Sequence, residues 1–268
     1  MPKPYQKPVV PFDTQGLGHL IEYIKKLSGV DLVPKQQVLE KRLMLFCEAR
    51  DITGFRNLYE QVQIDRALLQ ELINLVTVNE TYFYRELAQL EESMDFIKSL
   101  NKPVRVLCAP CASGEEVYSL GMMAIEKGIP EHSLELVGID INSEAIENSK
   151  NALYSSRSLH RLDPSLKQRY FIEQEGMYRV RRERLPKMHF NVINIFDATF
   201  LNMRPFDIIF SRNMMIYFND EFKHKSIQRF HQLLLPHGRL YTGHADLIPT
   251  NTLFKKETKG RLSFYVKA

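Results

Sequence analysis

Four short stretches of this 268-residue chain carry side chains suited to a charged, nucleoside-sized ligand. In the first, Cys111-Ala112-Ser113-Gly114-Glu115-Glu116, small residues follow an apolar run and two carboxylates open a helical pattern. Small residues let backbone approach a ligand, and the free N–H groups of a helix start attract anions. Two adjacent glutamates would repel a pyrophosphate there, so the loop suits an amine-bearing or cationic ligand better than a dinucleotide. The plainer alternative is that Glu115 and Glu116 only complement the helix dipole. The second stretch ends in Asp140, a little more than about 20 residues past the loop, where an acid commonly holds ribose hydroxyls and excludes a 2′-phosphate. Loop and acid together predict a nucleoside-containing cofactor. The third stretch, Ser211-Arg212-Asn213-Met214-Met215-Ile216-Tyr217-Phe218, brings an Arg, an Asn and a Tyr to the end of another apolar run. The fourth, Asn79-Glu80-Thr81-Tyr82-Phe83-Tyr84-Arg85, packs polar, aromatic and cationic residues into seven positions. A guanidinium in either place can hold a carboxylate through two parallel bonds.

Such residues must be gathered by elements that share an edge. The first third of the chain reads as helices: Leu17, Leu20, Ile21, Ile24 and Leu27 recur at helical steps, as do Leu39, Leu43 and Phe46, then Leu68, Leu72, Leu75 and Val76. Gly29 and Gly54 are stops between them. A small all-α domain is expected over 1–95 and an α/β domain over 96–268. In the second domain Val104–Leu107, Leu134–Ile139 and Phe206–Phe210 read as strands, Val117–Ile125 and Ser143–Asn151 as helices. Asp220–Leu235 reads as a further helix, with Asn219 as its N-cap. Pro236-His237-Gly238 turns into a strand at Arg239–Thr242, and Leu262–Val266 closes the chain as another. Alternating strand and helix implies a parallel sheet covered on both faces, with ligands beyond the carboxyl ends of the strands. A basic segment over about 156–187, with strand-like alternation at Met177–Arg181, is expected to be a small inserted β-subdomain.

Composition removes several function classes. Lys and Arg number 36 against 32 Asp and Glu, so the net charge of +4 is mild, and no aromatic-basic run suggests an RNA platform. Met1–Pro8 has no apolar signal core, and nothing approaches the roughly 18 apolar residues of a membrane span. A cytoplasmic protein that inserts in no membrane and binds no nucleic acid is expected. Three cysteines, Cys47, Cys108 and Cys111, are expected to stay reduced. Cys108-Ala109-Pro110-Cys111 has the spacing of a redox dithiol or half a zinc site, but no second such pair accompanies it, so no metal site is expected.

At these residues the chain resembles the CheR family of chemotaxis receptor methyltransferases. Asn79–Arg85 is similar to the family's N-x-T-x-F-F-R, Ser113–Ser119 to S-G-E-E-P-Y-S and Gly138-Ile139-Asp140-Ile141 to T-D-I-D. Phe206–Phe218 resembles F-D-x-I-F-C-R-N-V-M-I-Y-F, and Gly243-His244-Ala245-Asp246 resembles G-H-S-E. Val117 replaces the family's Pro, Tyr84 a Phe, and Ala245-Asp246 the Ser-Glu pair. The resemblance implies a Rossmann-like S-adenosylmethionine-dependent methyltransferase domain with a small antiparallel β insert, after an all-α N-terminal domain. It implies methyl transfer from S-adenosylmethionine to receptor glutamates, giving methyl esters in sensory adaptation. A scaffold that binds the cofactor without turnover is the alternative, and a dehydrogenase is the runner-up on fold alone.

The resemblance also assigns roles. Arg85, Arg212 and Tyr217 would be catalytic. Asn79, Thr81, Arg85, Glu115, Glu116, Asp140, Asn194, Ile195, Ser211, Arg212 and Asn213 would line the cofactor, Asp140 at the ribose and a glutamate at the amino group. A glutamate substrate with a pKa near about 4.3 is already anionic at neutral pH, so no base is required and His244 is expected to be structural. The expected partner is the cytoplasmic helical region of a chemotaxis receptor; Lys35, Lys41, Arg42 and Arg50, set between apolar helical positions, are either a face that attracts its acidic helices or a plain solvated face. A receptor tail peptide would meet the insert near Met177–Arg182, and a monomer is expected.

Overall fold

The computed structural model describes residues 12–33, 36–260 and 262–268. The chain divides into two compact units between Val76 and Thr77.

In the first unit, apolar residues at helical spacing form α1 (Leu17–Ser28), α2 (Gln36–Glu48), α3 (Phe55–Val62) and α4 (Arg66–Val76). Leu20, Ile24, Leu43, Phe55, Leu58 and Leu72 are its innermost side chains. Gly29 ends α1 in the left-handed region (φ 76°), its N–H donating to Lys25 O at 2.8 Å. Asp65 Oδ1 opens α4 by accepting the Ala67 and Leu68 N–H groups at 2.9 and 3.0 Å.

In the second unit, α5 (Leu87–Leu100) precedes β1 (Val104–Cys108), α6 (Glu115–Glu126), β2 (Leu134–Asp140) and α7 (Ser143–Asn151). Then come β3 (Leu153–Ser155), α8 (Pro164–Tyr170), β4 (Phe171–Gln174), β5 (Met177–Val180) and β6 (Lys187–Val192). The chain continues through α9 (Ala198–Leu201), β7 (Phe206–Ser211), α10 (Asp220–Leu233), β8 (Leu234–Thr242), β9 (Phe254–Lys259) and β10 (Leu262–Lys267). The main sheet has the order β6-β2-β1-β7-β8-β10-β9. Strands β6, β2, β1, β7 and β8 are parallel, while β10 runs antiparallel to β8 and β9 antiparallel to β10. The strand order reverses direction between β1 and β7, which places the ligand crevice of such a sheet beyond their carboxyl ends.

Three boundaries differ from the sequence reading. Helix α5 belongs to the second unit, not to a helical domain reaching residue 95, because Leu90, Met94 and Ile97 pack in one core with Val104 and Val106 of β1 and Leu120 of α6. The insert begins at Leu153, earlier than 156, since Leu153–Ser155 pairs with β5 to make a three-stranded antiparallel sheet, β3-β5-β4. Helix α10 ends at Leu233, two residues short of expectation. The residues around Pro236 then bulge out of β8, whose register against β7 jumps from Phe206↔Leu234 to Ile208↔Arg239. Among the described residues no helix is long and apolar enough to cross a membrane.

Candidate active site

The loop from β1 to α6 stays close to its neighbouring strands, Ala109 N donating to Phe210 O and Cys111 N to Ile139 O, both at 2.8 Å. It closes with Ala112 and Gly114 in the left-handed region (φ 46° and 92°). Gly114 is required there twice over, because a Cβ would also stand 2.8 Å from Ser149 Cβ. Asp140, at the end of β2, lies beside this loop and is 4% exposed. Its Oδ2 accepts the Ala112 N–H and its Oδ1 the Asn142 N–H, each at 2.9 Å. Burial pushes its carboxyl up to about 6, and the backbone N–H groups pull the other way. Backbone N–H groups, that of Ile141 among them, thus fix the carboxylate at the end of the strand.

Glu115 and Glu116 are both buried at the start of α6. Ser113 Oγ donates to Glu115 at 2.7 Å and Ser158 Oγ at 3.2 Å, while burial raises its carboxyl. Glu116 is likewise raised by burial and drawn down by Arg212, whose Nε lies 2.8 Å away. Arg212 donates through Nη2 to Arg85 O at 2.7 Å. Among the described residues its Nη1 and the hydroxyl of Ser211 are buried with no hydrogen-bond partner, an expensive condition for polar atoms. Buried carboxylates beside unpaired buried donors are the complement of an ammonium and a carboxylate on one small ligand. An amino-acid tail on a nucleoside therefore fits this cradle.

The segment before α5 is fastened across the same loops. Asn142 Nδ2 donates to Thr77 Oγ1 at 2.8 Å, Phe83 N to Ser158 O at 3.0 Å and Tyr84 N to Ser119 Oγ at 3.0 Å. Phe83 is fully buried, edge-on to Tyr154 and Phe171. Asn79 and Thr81 are half-buried between the Thr77 and Phe83 anchors. Arg85 donates to Glu80 O at 2.7 Å and stands 5.7 Å above the Tyr82 ring. Tyr217, half-buried in the single turn Met215–Tyr217, has its hydroxyl pushed up by burial and by Glu80, with Arg85 opposing. Tyr217 is thus near enough to Glu80 and Arg85 to feel both charges. Asn213 occupies the left-handed region (φ 58°) between Arg212 and that turn. Beyond β6, Ile193 N donates to Asp140 O at 3.0 Å, Asn194 Oδ1 accepts the Phe196 N–H at 2.9 Å and Ile195 is buried. The structure thus gathers the sequence-selected residues from five separate segments around the ends of β1, β2, β6 and β7.

Asp246, in the Gly243–Asp246 stretch, carries no role on the sequence pattern alone. Its carboxylate binds the backbone of the Asn213–Ile216 turn. His244 is exposed, its Nδ1 2.9 Å from Glu86 Oε2. Cys108 and Cys111 are buried free thiols that burial holds well above the usual thiol range, which suppresses the thiolate needed for redox or metal chemistry. Of the basic residues selected in the helical unit, Lys41 is exposed, Arg42 donates to Leu75 O, and Arg50 pairs with Glu71 at 2.6 Å; Lys35 lies outside the described residues. In the insert, Met177–Val180 is the central strand, so its backbone is paired on both sides and only β3 and β4 present edges.

Residues 15–77 match the family described as CheR methyltransferase, all-alpha domain, and residues 79–263 match CheR methyltransferase, SAM binding domain. A chemotaxis protein methyltransferase of Campylobacter jejuni subsp. jejuni serotype O:23/36 (strain 81-176) is 42% identical over 263 residues, covering 98% of this chain and 99% of that protein. Chemotaxis protein methyltransferase 2 of Vibrio cholerae serotype O1 is 30% identical over 79% of this chain and 78% of its own length. The chemotaxis protein methyltransferase of Escherichia coli (strain K12) is 32% identical over 84% of this chain and 82% of its own length. The two matched domains agree with the fold, and S-adenosylmethionine is the cofactor class that the second defines: the chain belongs to the CheR methyltransferase family.

Proposed function

We propose that this protein transfers the methyl group of S-adenosylmethionine to glutamate carboxylates on the cytoplasmic helical region of chemotaxis receptors. The observation that carries the reading is the buried Arg212, held by Glu116 and the Arg85 carbonyl with Nη1 still to be satisfied, at the mouth of a loop that ends in buried carboxylates. S-adenosylmethionine, when bound, supplies an electrophilic methyl on a sulfonium. Asp140 would hold the ribose hydroxyls, and Asn79, Thr81, Asn194 and Ile195 would line the adenosine and methionine slots. Glu115 and Glu116 would take the ammonium, with Ser211, Arg212 and Asn213 near the carboxylate. The substrate glutamate is already an anion, so these side chains need only strip its water and hold one oxygen within the roughly 3–3.5 Å of a near-attack geometry. Arg85 supplies the cation for that oxygen and Tyr217 a ring or hydroxyl contact at the transfer centre. His244, exposed and beside Glu86, has no proton to remove.

The receptor would be attracted by Lys41 and Arg42 on α2, together with Lys35. Arg50 contributes less, because its charge is already matched by Glu71. A receptor tail would add along a free edge of the insert, β3 or β4, with the neighbouring Arg179 and Arg181 exposed. A cofactor-binding scaffold without turnover gains no support, since Arg85, Asp140, Arg212 and Tyr217 are all present. The test is transfer of labelled methyl from S-adenosylmethionine to a receptor cytoplasmic fragment. Label that mild base releases as methanol is expected. Absence of label, or a base-stable product, contradicts the reading.

A further inference from the structure

The carboxylate of Asp246 takes no part in the chemistry above, yet it is 5% exposed and densely bonded. It sits in the turn after β8, its own N–H donating to Gly243 O at 3.0 Å. Oδ2 accepts the N–H groups of Asn213 and Gly243, the latter at 3.0 Å, and Oδ1 accepts that of Ile216 at 3.2 Å. Two of these donors flank the short path from Arg212 to Tyr217. That path contains Asn213 at φ 58°, a conformation that persists only where its surroundings over-determine it. Gly243 makes the contact possible: a Cβ there would lie 2.8 Å from Asn213 N and 2.9 Å from Asp246 Oδ2. The same loop reaches the Arg85 segment through His244 and Glu86. An amide in place of the carboxylate offers one accepting oxygen, and its NH2 would face an N–H group.

We propose that Asp246 is a positioning residue for methyl transfer, clamping the Asn213–Ile216 backbone so that Arg212 and Tyr217 keep a fixed relation at the transfer centre. This rests on the methyltransferase reading above. The role acts through Tyr217 and needs all three backbone donors, so a carboxylate with a different stem preserves it better than an isosteric amide. The resemblance to G-H-S-E, in which a glutamate stands at this position, makes Asp246→Glu the natural rescue.

The test compares the parent protein with Asp246→Asn, Asp246→Glu, Tyr217→Phe and the Asp246→Asn/Tyr217→Phe pair. Receptor methylation and calorimetric affinity for S-adenosylhomocysteine are measured on each, the second reporting that the fold and cofactor cradle survive. Asp246→Asn is expected to lower kcat by about 10- to 100-fold with affinity changed less than about threefold, and Asp246→Glu to recover most of that loss. The paired variant is expected to be no slower than the slower single variant, as for residues acting as one unit. A kcat within about threefold of the parent for Asp246→Asn overturns the proposal, as do losses that multiply in the pair. Failure of every protein, the parent included, to methylate receptor while binding S-adenosylhomocysteine would instead overturn the substrate reading. A parental rate for Tyr217→Phe alone would remove the hydroxyl from the chemistry, and Asp246→Asn with Asp246→Glu would still decide the case of Asp246.

Discussion

Asp140 is an acid placed where ionisation is resisted, and that conflict has a measurable consequence. Its carboxyl is raised from 3.8 to about 6 by burial. Ribose hydroxyls donating to it would favour the ionised form, so binding below about pH 6 must expel a proton. Affinity for S-adenosylhomocysteine should therefore fall as pH drops through about 6, approaching tenfold per pH unit, and stay level above it. Asp140→Ala should flatten that dependence, leaving only the part carried by Glu115 and Glu116, whose carboxyls burial also raises, and weaken binding at neutral pH by about tenfold or more, since a hydrogen bond to a charged group contributes about 1.5–3 kcal/mol. Calorimetry across the range checks both, and a pH-independent parent protein would remove Asp140 from the ribose. The stability sign is the reverse: a folded carboxyl raised above its unfolded value makes the unliganded protein less stable as pH rises from 3.8 to about 6.

At the scale of elements, close packing is as demanding as charge. Gly138 lies inside β2, where a Cβ would stand 2.9 Å from both Cys111 Sγ and the Phe190 ring. Gly138→Ala should destabilise the fold by about 1–3 kcal/mol through overpacking, read as a lower urea midpoint at unchanged slope. An unchanged midpoint would show that the loop tolerates displacement. The elements legible in the sequence were those with a strong apolar signal: β1, β2, β7 and β10 lie where Val104, Leu134, Phe206 and Leu262 announce them. Strand β9, Phe254-Lys255-Lys256-Glu257-Thr258-Lys259, was not legible, because it is a sheet edge whose side chains are mostly exposed and charged. Strand β6 is masked in the same way, with Lys187, Asn191 and Val192 all exposed. Asp246 escaped because its partners are backbone N–H groups, which leave no signature in side-chain sequence.

At the scale of the whole molecule, each unit buries a core of its own, and the residues proposed for catalysis all lie within Thr77–Ala268. The residues that matter are spread from Asn79 to Asp246, and only the parallel sheet with its direction reversal between β1 and β7 makes them neighbours. The loop that opens α6 then decides the cofactor: buried Glu115 and Glu116 oppose a pyrophosphate and welcome an ammonium. Calorimetric titration of the purified protein with S-adenosylhomocysteine, with NAD as the control ligand, tests this most directly. One-to-one binding of S-adenosylhomocysteine in the micromolar range with no heat from NAD is predicted; silence from S-adenosylhomocysteine, or binding of NAD, would contradict the account.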